Sequence, residues 1–214
     1  KKEKPNLRLQ SIFDEGHFIH AKWQTWFHEM GNLYGRFQCK HCGHSIIGTS
    51  PQQCTECEGT HLEYKEVTLV DEDLRIAGHT DGWIKGIGAD TLIEIKSIGA
   101  GTLRFEAPEL LYDADGDIFK AFSNIKRPFR SHLLQGQMYL ELAHRMYGEE
   151  APKEIVFIYE LKADQDYKEF TVKADYEIVS KIFFYVEKPD GEQFFVYDVD
   201  EAKVNSALTE LETY

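Results

Sequence analysis

Alternating apolar and polar positions mark the middle of the chain. Four consecutive runs of β type cover residues 63–70, 74–79, 81–87 and 91–97. Because successive side chains of a strand point to opposite faces, Ile93 and Ile95 are expected to face a core. Glu94 and Lys96 then project together on the other side. The four runs predict a meander that ends in a strand carrying a carboxylate beside a lysine. Burying two charged side chains costs free energy, so the pair indicates a functional site.

Two longer stretches have apolar residues at helical spacing. The first begins at a capping box formed by Ser11 and Asp14. Its apolar face comprises Ile12, Ile19, Trp23, Trp26 and Met30. The second covers residues 129–147 and ends at Gly148. Its inward face is expected to comprise Leu133, Leu134, Met138, Leu142 and Met146.

The remaining elements complete an α/β pattern. They are a short helix near 102–111 followed by a loop, strands at 154–161 and 167–173, a helix from 175 to about 188, a strand at 193–199 and a final short helix. We expect a central mixed β-sheet flanked by helices. A chain of 214 residues can bury one good core, so a single principal domain is expected over residues 1–214.

Composition and charge narrow the function classes. The chain is 42% hydrophobic and 29% charged, as is ordinary for a globular protein. No apolar run approaches the roughly 18 residues of a membrane span, and the first residues lack the apolar core of a signal peptide. An intracellular, cytoplasmic protein is expected. The formal net charge of −13 argues against a surface that binds nucleic acid broadly by charge.

All four cysteines lie in two Cys-x-x-Cys turns, Cys39 with Cys42 and Cys54 with Cys57. Paired turns of this kind let four thiolates surround a tetrahedral ion, which predicts a small zinc ribbon inserted at residues 36–62. Its expected role is structural, with contact to DNA or a partner as a second option. Disulfides are disfavoured inside the cell. An iron–sulfur cluster remains an alternative, and His41, His44 or His61 could replace one thiolate.

Asp81 precedes Glu94 by thirteen residues, so two carboxylates can converge at one end of the sheet. Oxygen ligands of this kind suit Mg²⁺ or Mn²⁺, and a neighbouring lysine can hold and polarise a water. The Asp, Glu-x-Lys arrangement resembles the PD-(D/E)XK nuclease superfamily, specifically its RecB-type exonuclease branch and the related CRISPR-adaptation exonucleases. Thr80 stands where Pro is usual, but Gly78 with Asp81 matches the Gly-x-x-Asp form of that branch.

Two further motifs support the resemblance. Gly16 and His20 match a Gly-x-x-x-His pattern on an early helix, and Gln135 and Tyr139 match a Gln-x-x-x-Tyr pattern on the helix after the catalytic strand. The resemblance spans residues 16 to 139 and implies a restriction-endonuclease-like core.

The same resemblance implies roles for the matching residues. His20, Asp81, Glu94 and the carbonyl of Ile95 would bind Mg²⁺ or Mn²⁺, and Lys96 would orient the attacking water. Gln135 and Tyr139 would position Lys96 and the DNA strand. The CRISPR-adaptation relatives carry an iron–sulfur cluster, but their cysteines are split between the two ends of the domain, whereas those of this chain are local and paired.

The function expected from these observations is a metal-dependent DNA exonuclease acting on single-stranded or frayed ends, in repair, recombination or phage DNA metabolism. A local basic channel would suffice for an acidic protein to hold DNA. Candidates for that channel are Lys126, Arg127 and Arg130, together with Lys85, Lys96 and Arg104. The alternatives are a structure-specific DNA endonuclease, a non-catalytic zinc-ribbon module on a nuclease scaffold, and a structural Asp–Lys–Glu network. Cleavage polarity, strand preference and oligomeric state stay open.

Overall fold

The structure, a computed structural model, describes residues 6–73, 75–175, 181–187 and 193–200; for residue 175 and the last two ranges it describes the backbone alone. The helices are α1 (Leu7–Glu29), α2 (Ala100–Glu106), α3 (Pro108–Asp113), α4 (Ile118–Ser123) and α5 (Arg130–Tyr147), followed by a short 3₁₀ turn (Gly148–Glu150). The strands are β1 (Leu33–Cys39), β2 (Ser45–Thr49), β3 (Leu62–Lys65), β4 (Val67–Asp71), β5 (Ile76–Thr80), β6 (Gly82–Ile84), β7 (Thr91–Ile98), β8 (Glu154–Leu161), β9 (Tyr167–Asp175), β10 (Lys181–Glu187) and β11 (Gln193–Asp200).

One mixed sheet forms the centre of the described chain. Its strand order is β11-β10-β9-β8-β7-β6-β1-β2, and β3 also pairs with β1. β7 and β8 run parallel, whereas the other neighbours in the sheet run antiparallel. β4 and β5 form a separate antiparallel pair that packs against α5. The predicted mixed sheet is confirmed.

Helices cover both faces of this sheet. Ile93 and Ile95 of β7 pack with Ile19 and Trp23 of α1 in one apolar cluster. Leu92, which points to the opposite face, belongs to a second and larger cluster with residues of α2, α4 and α5. The flanking helices and the alternation predicted for β7 are therefore confirmed, and Glu94 and Lys96 lie on the α5 side.

The buried face of α5 differs from the one predicted. Leu133 and Leu142 are buried, but Leu134, Met138 and Met146 are exposed. The contact face runs instead through small residues such as Gly136, where a Cβ would lie 2.5 Å from Cζ of Phe157. Because α5 lies close to β8 at this contact, a small side chain is required there. The positions of Leu134, Met138 and Met146 therefore do not predict the buried face.

The predicted face of α1 is correct only in its middle. Ile19 and Trp23 are buried against the sheet, whereas Ile12, Trp26 and Met30 are exposed. Helical periodicity identified the side of the helix that faces β7, but it could not show that the contact is confined to two turns.

Two other predictions need correction. The stretch 98–127 forms three short helices, α2 to α4, rather than one helix and a loop. The helix expected from 175 to 188 is wrong, because β10 pairs with β9 on one side and β11 on the other. The sequence of β10 is rich in aromatic and β-branched residues, which favour strands. The strand predicted at 193–199 is confirmed as β11, and the final short helix falls outside the described residues.

The cysteine-bearing segment continues the central sheet. β1 pairs with β6 through Leu33 opposite Ile84, and the same strand ends at Cys39 beside Leu62 of β3. Among the described helices, none has the length and apolar character needed to cross a membrane.

Candidate functional site

Asp81 occupies the turn between β5 and β6, where three elements meet. Its Oδ2 accepts a hydrogen bond from the backbone N–H of Ile95 at 2.6 Å, and its Oδ1 lies 2.9 Å from Nδ1 of His20. Thr80, fully buried, donates its hydroxyl to the carbonyl of Ile93 at 2.8 Å. This bond fastens the turn to β7.

His20 reaches Asp81 from α1 and is partly buried. Burial disfavours the protonated imidazole, but the hydrogen bond to Asp81 and the charges of Asp81, Glu94 and Glu66 outweigh it and raise the pKa of His20. The imidazole thus lies in a field that favours a positive charge. A divalent cation bound among the same carboxylates would supply positive charge there in place of the proton on His20.

Glu94 is a buried carboxyl with one oxygen unpaired. It is 3% exposed, and its Oε1 accepts a hydrogen bond from Nζ of Lys96 at 2.7 Å. Its Oε2 is buried without a hydrogen-bond partner. Burial, followed by the charge of Asp81, raises the pKa of Glu94 to about 7, and the charge of Lys96 offsets this only in part. A buried unpaired oxygen of this kind is satisfied by a proton or by a cation, so the residues present fit a divalent metal.

Lys96 is held by a chain of hydrogen bonds from α5. Its Nζ donates to Oε1 of Gln135 at 2.7 Å, and Nε2 of Gln135 donates to the hydroxyl of Tyr139 at 2.8 Å. An ammonium group only donates, so the amide oxygen of Gln135 must face it, and the amide orientation follows. Burial, followed by the charge of Glu94, raises the pKa of Tyr139 to about 12, which keeps its hydroxyl protonated.

Glu66 belongs to the site although no sequence motif indicated it. One ligand atom each from His20, Glu66 and Asp81 lies within 4.8 Å of the other two. Gln24 of α1 donates both to the backbone carbonyl of Asp81 at 2.9 Å and to Oε1 of Glu66 at 3.4 Å. Glu66 sits in the break between β3 and β4, and it meets Asp81 only because those strands pair with different partners. The spacing of residues along the sequence does not predict this contact between Glu66 and Asp81.

His132 is a second neighbour of the site that sequence reasoning missed. Its Nδ1 lies 2.5 Å from the hydroxyl oxygen of Tyr159, which also accepts the backbone N–H of Phe129 at 2.8 Å. Burial and the charge of Lys96 lower the pKa of His132 to about 3, which favours the neutral imidazole. Its spacing of one turn before Gln135 on α5 is a signal that could have found it.

No family model, curated protein or solved structure matches this chain.

The four cysteines form a second cluster, with ligand atoms within 4.8 Å of one another. Sγ of Cys39 lies 3.6 Å from that of Cys57, and Sγ of Cys42 lies 3.6 Å from that of Cys54. A tetrahedral zinc with bonds of about 2.3 Å holds its sulfurs roughly 3.8 Å apart. The cluster is thus compatible with structural zinc.

The backbone of both Cys-x-x-Cys turns supports this geometry. Gly43 donates its N–H to the carbonyl of Cys39 at 2.9 Å, and Glu58 donates to Cys54 in the same way at 2.9 Å. Both donors have positive φ, +77° for Gly43 and +58° for Glu58. The amides of Cys42 and His41 point at the Cys39 sulfur and lower its pKa to about 6, whereas the neighbouring sulfurs raise the pKa of Cys42 and of Cys57.

The predicted DNA-binding residues lie near one end of α5. Lys126, Arg127 and Arg130 are exposed in the segment that joins α4 to α5, and Lys126 donates to the carbonyl of Ser123 at 3.3 Å. Arg130 is the first residue of α5, five positions before Gln135. The predicted ligand Ile95 is fully buried within β7 between Glu94 and Lys96.

Proposed function

We propose that this protein is a metal-dependent nuclease that hydrolyses phosphodiester bonds in DNA, with a restriction-endonuclease-like core. The observation that carries the proposal is the buried carboxylate Glu94. Its Oε1 is bonded to Lys96, which Gln135 and Tyr139 hold in turn, while its Oε2 is buried without a partner. Asp81 and His20 adjoin this group. A purely structural ion pair has no need of an unpaired buried oxygen.

The donor set suits Mg²⁺ or Mn²⁺. Carboxylate oxygens from Asp81, Glu94 and Glu66 are hard ligands, and the imidazole of His20 shifts the preference toward Mn²⁺. A bound metal would lower the pKa of its water and neutralise charge on the phosphate. The chain supplies these ligands from α1, from the β3–β4 break, from the β5–β6 turn and from β7.

Lys96 is the residue that would orient the nucleophile. Two hydrogens of its ammonium group are engaged by Glu94 and Gln135, so the third is available for a water or a phosphate oxygen. Gln135 fixes the direction of that third hydrogen. The hydroxyl proton of Tyr139 is a further neutral donor beside the site.

An exonuclease on single-stranded or frayed ends fits the charge of the chain best. A net charge of −13 leaves little surface for gripping a long duplex, so affinity would come from a short contact over the site. Lys126, Arg127 and Arg130 supply local positive charge in the segment before α5, and cleavage should fall steeply as salt rises.

The cysteine cluster would hold one zinc ion with a structural role. Four sulfurs within 4.8 Å of one another leave room for a single ion rather than for a cluster of several irons and sulfides. This spacing favours zinc over the iron–sulfur alternative.

The deciding experiment offers end-labelled linear and circular single-stranded DNA to the zinc-loaded protein with Mn²⁺. We expect degradation of the linear strand, loss of activity without the divalent ion, and loss in Lys96→Ala but not in the surface control Lys153→Ala. Equal rates on linear and circular DNA would indicate an endonuclease instead. Metal binding without any cleavage would point to a non-catalytic module.

A further inference from the structure

A cleft of about 770 Å³ opens beside the candidate site, between α1 and the start of α2. Phe13 and His17 of α1 line it, as do Gly101 and Thr102 of α2 and Ile118 of α4. Its volume falls in the range of about 300–1,000 Å³ that is typical of small-ligand pockets.

One end of the cleft reaches the residues that would bind the metal. His20 lines the cleft, and the same imidazole lies 2.9 Å from Asp81 through its Nδ1. Ser97, the residue after Lys96, also lines it, and a Cβ on Gly16 would lie 3.5 Å from the Ser97 hydroxyl oxygen. A ligand in the cleft therefore has one end at the residues that would bind the metal.

The chemistry of the cleft differs from that of a phosphate channel. Glu15 and Lys162 contribute opposite charges that lie 3.7 Å apart, and Nζ of Lys162 already donates to the carbonyl of Ile12 at 2.9 Å. Phe13 and Ile12 are 48% and 45% exposed, so apolar surface is open to an incoming group. A nearly neutral cleft with an aromatic edge suits a base and its sugar better than a row of phosphates.

We infer that this cleft binds the terminal nucleoside unit of a DNA strand, with the base against Phe13 and the phosphate toward His20. The inference rests on the proposed function and deepens it, because a strand whose last nucleoside fills the cleft is cut one nucleotide from its end. Aromatic stacking accepts every base, so the cleft imposes little sequence preference.

Two glycines allow the cleft to be filled without disturbing the core. A Cβ on Gly101 meets no atom within 4 Å, and the residue lines the cleft, so Gly101→Phe places a ring in the open space. A Cβ on Gly48 of β2 likewise meets no atom within 4 Å, but Gly48 is not among the residues lining the cleft. Gly48→Phe is therefore a matched control.

The test titrates dTMP and dAMP into zinc-loaded protein without added Mg²⁺ or Mn²⁺, with NMR shifts as the readout and deoxyribose 5-phosphate as the probe without a base. We expect both nucleotides to shift resonances of cleft residues in the wild type and in Gly48→Phe, with affinity about tenfold weaker in Gly101→Phe and for the probe without a base. Absence of binding by the wild type, or equal binding by all three proteins, overturns the inference.

The binding readout needs no cleavage, so the two proposals fail separately. Nucleotide binding in the cleft of a protein that cuts no DNA would refute the nuclease and leave the cleft assignment standing. Cleavage of DNA by a protein that binds no nucleotide in the cleft, with unchanged products in Gly101→Phe, would refute the cleft assignment alone.

Discussion

Gly78 lies directly against the ring of Tyr139: a Cβ on Gly78 would be 2.5 Å from Cε1 of that ring. The contact joins β5 to α5 and fixes where the Tyr139 hydroxyl meets Gln135. The glycine of the Gly-x-x-Asp motif thus has a steric role in addition to its place before Asp81.

Gly78→Ala should displace the Tyr139 ring and weaken the hydrogen bonds that hold Lys96. We expect cleavage to fall about 100-fold, since displacements of about 1 Å can cost that much, while the fold is kept. Steady-state rates measure the effect, with Gly48→Ala as the control. In a Tyr139→Ala background the same substitution should add little, and a full additional loss there would show that Gly78 acts by another route.

Replacing the carboxylates and the lysine should separate metal binding from chemistry. Asp81→Asn and Glu94→Gln should lose Mn²⁺ binding and cleavage together, because each removes a charged ligand. Lys96→Ala should keep Mn²⁺ binding and lose cleavage by about 10²–10⁴-fold. Calorimetry at pH 8, above the pKa of about 7 that Glu94 has beside Lys96, measures the binding. Unchanged Mn²⁺ affinity in Asp81→Asn would remove Asp81 from the ligand set.

Glu66→Gln should weaken Mn²⁺ binding about tenfold, a change of about 1.4 kcal/mol. The side chain is exposed, so little stability should be lost with its charge. Calorimetry on this variant and on Glu149→Gln, whose side chain is 90% exposed, gives the comparison. Equal affinities in the two variants would mean that Glu66 lies near the metal without binding it.

The metal-free site should make stability depend on pH. The pKa of Glu94 rises from 4.5 to about 7 on folding, so the folded protein binds this proton more tightly than the unfolded chain does. The resulting stability is complete below about pH 4.5 and is lost as the pH rises through 7. Glu94→Gln stays neutral, so its melting temperature should exceed that of the wild type by an amount that grows over this range to a few degrees. Thermal unfolding without added Mg²⁺ or Mn²⁺ measures this difference, and a constant offset would contradict the assignment.

The cysteine cluster should hold about one zinc per chain. Cys57→Ser should lose most of this zinc and unfold at a lower temperature, because the metal supplies folding energy for a short segment. Thr55→Ala, in the same turn, should retain both. Elemental analysis and thermal unfolding give the result, and stoichiometric iron with visible absorption would overturn the zinc assignment.

Contacts that depend on local periodicity could be predicted from the sequence. The pairing of Glu94 with Lys96 follows from strand alternation, and that of Gln135 with Tyr139 follows from one helical turn. Contacts that depend on the register between paired strands could not be predicted from the sequence. His132 meets Tyr159 because Tyr159 lies opposite Lys96 in the parallel β7–β8 pair, and no spacing along the chain encodes that match.

The large apolar side chains of α5 predicted its buried face only in part, because the helix lies close to β8 at Gly136. On α5, the predicted positions Leu134, Met138 and Met146 are exposed, and the buried face includes Gly136 and Ala143 beside Leu133 and Leu142. Glu66 was missed because the alternation predicts one continuous β run over residues 63–70, whereas the structure breaks this run at Glu66 between β3 and β4.

The bonds that assemble the candidate site span long stretches of chain, 61 residues between His20 and Asp81 and 39 between Lys96 and Gln135. Such contacts form late in folding, because closing a long loop costs conformational entropy before the contact stabilises the chain. During translation, Lys96 has no partner on α5 until residue 135 has left the ribosome. A nascent chain therefore cannot complete the group until α5 has been synthesised.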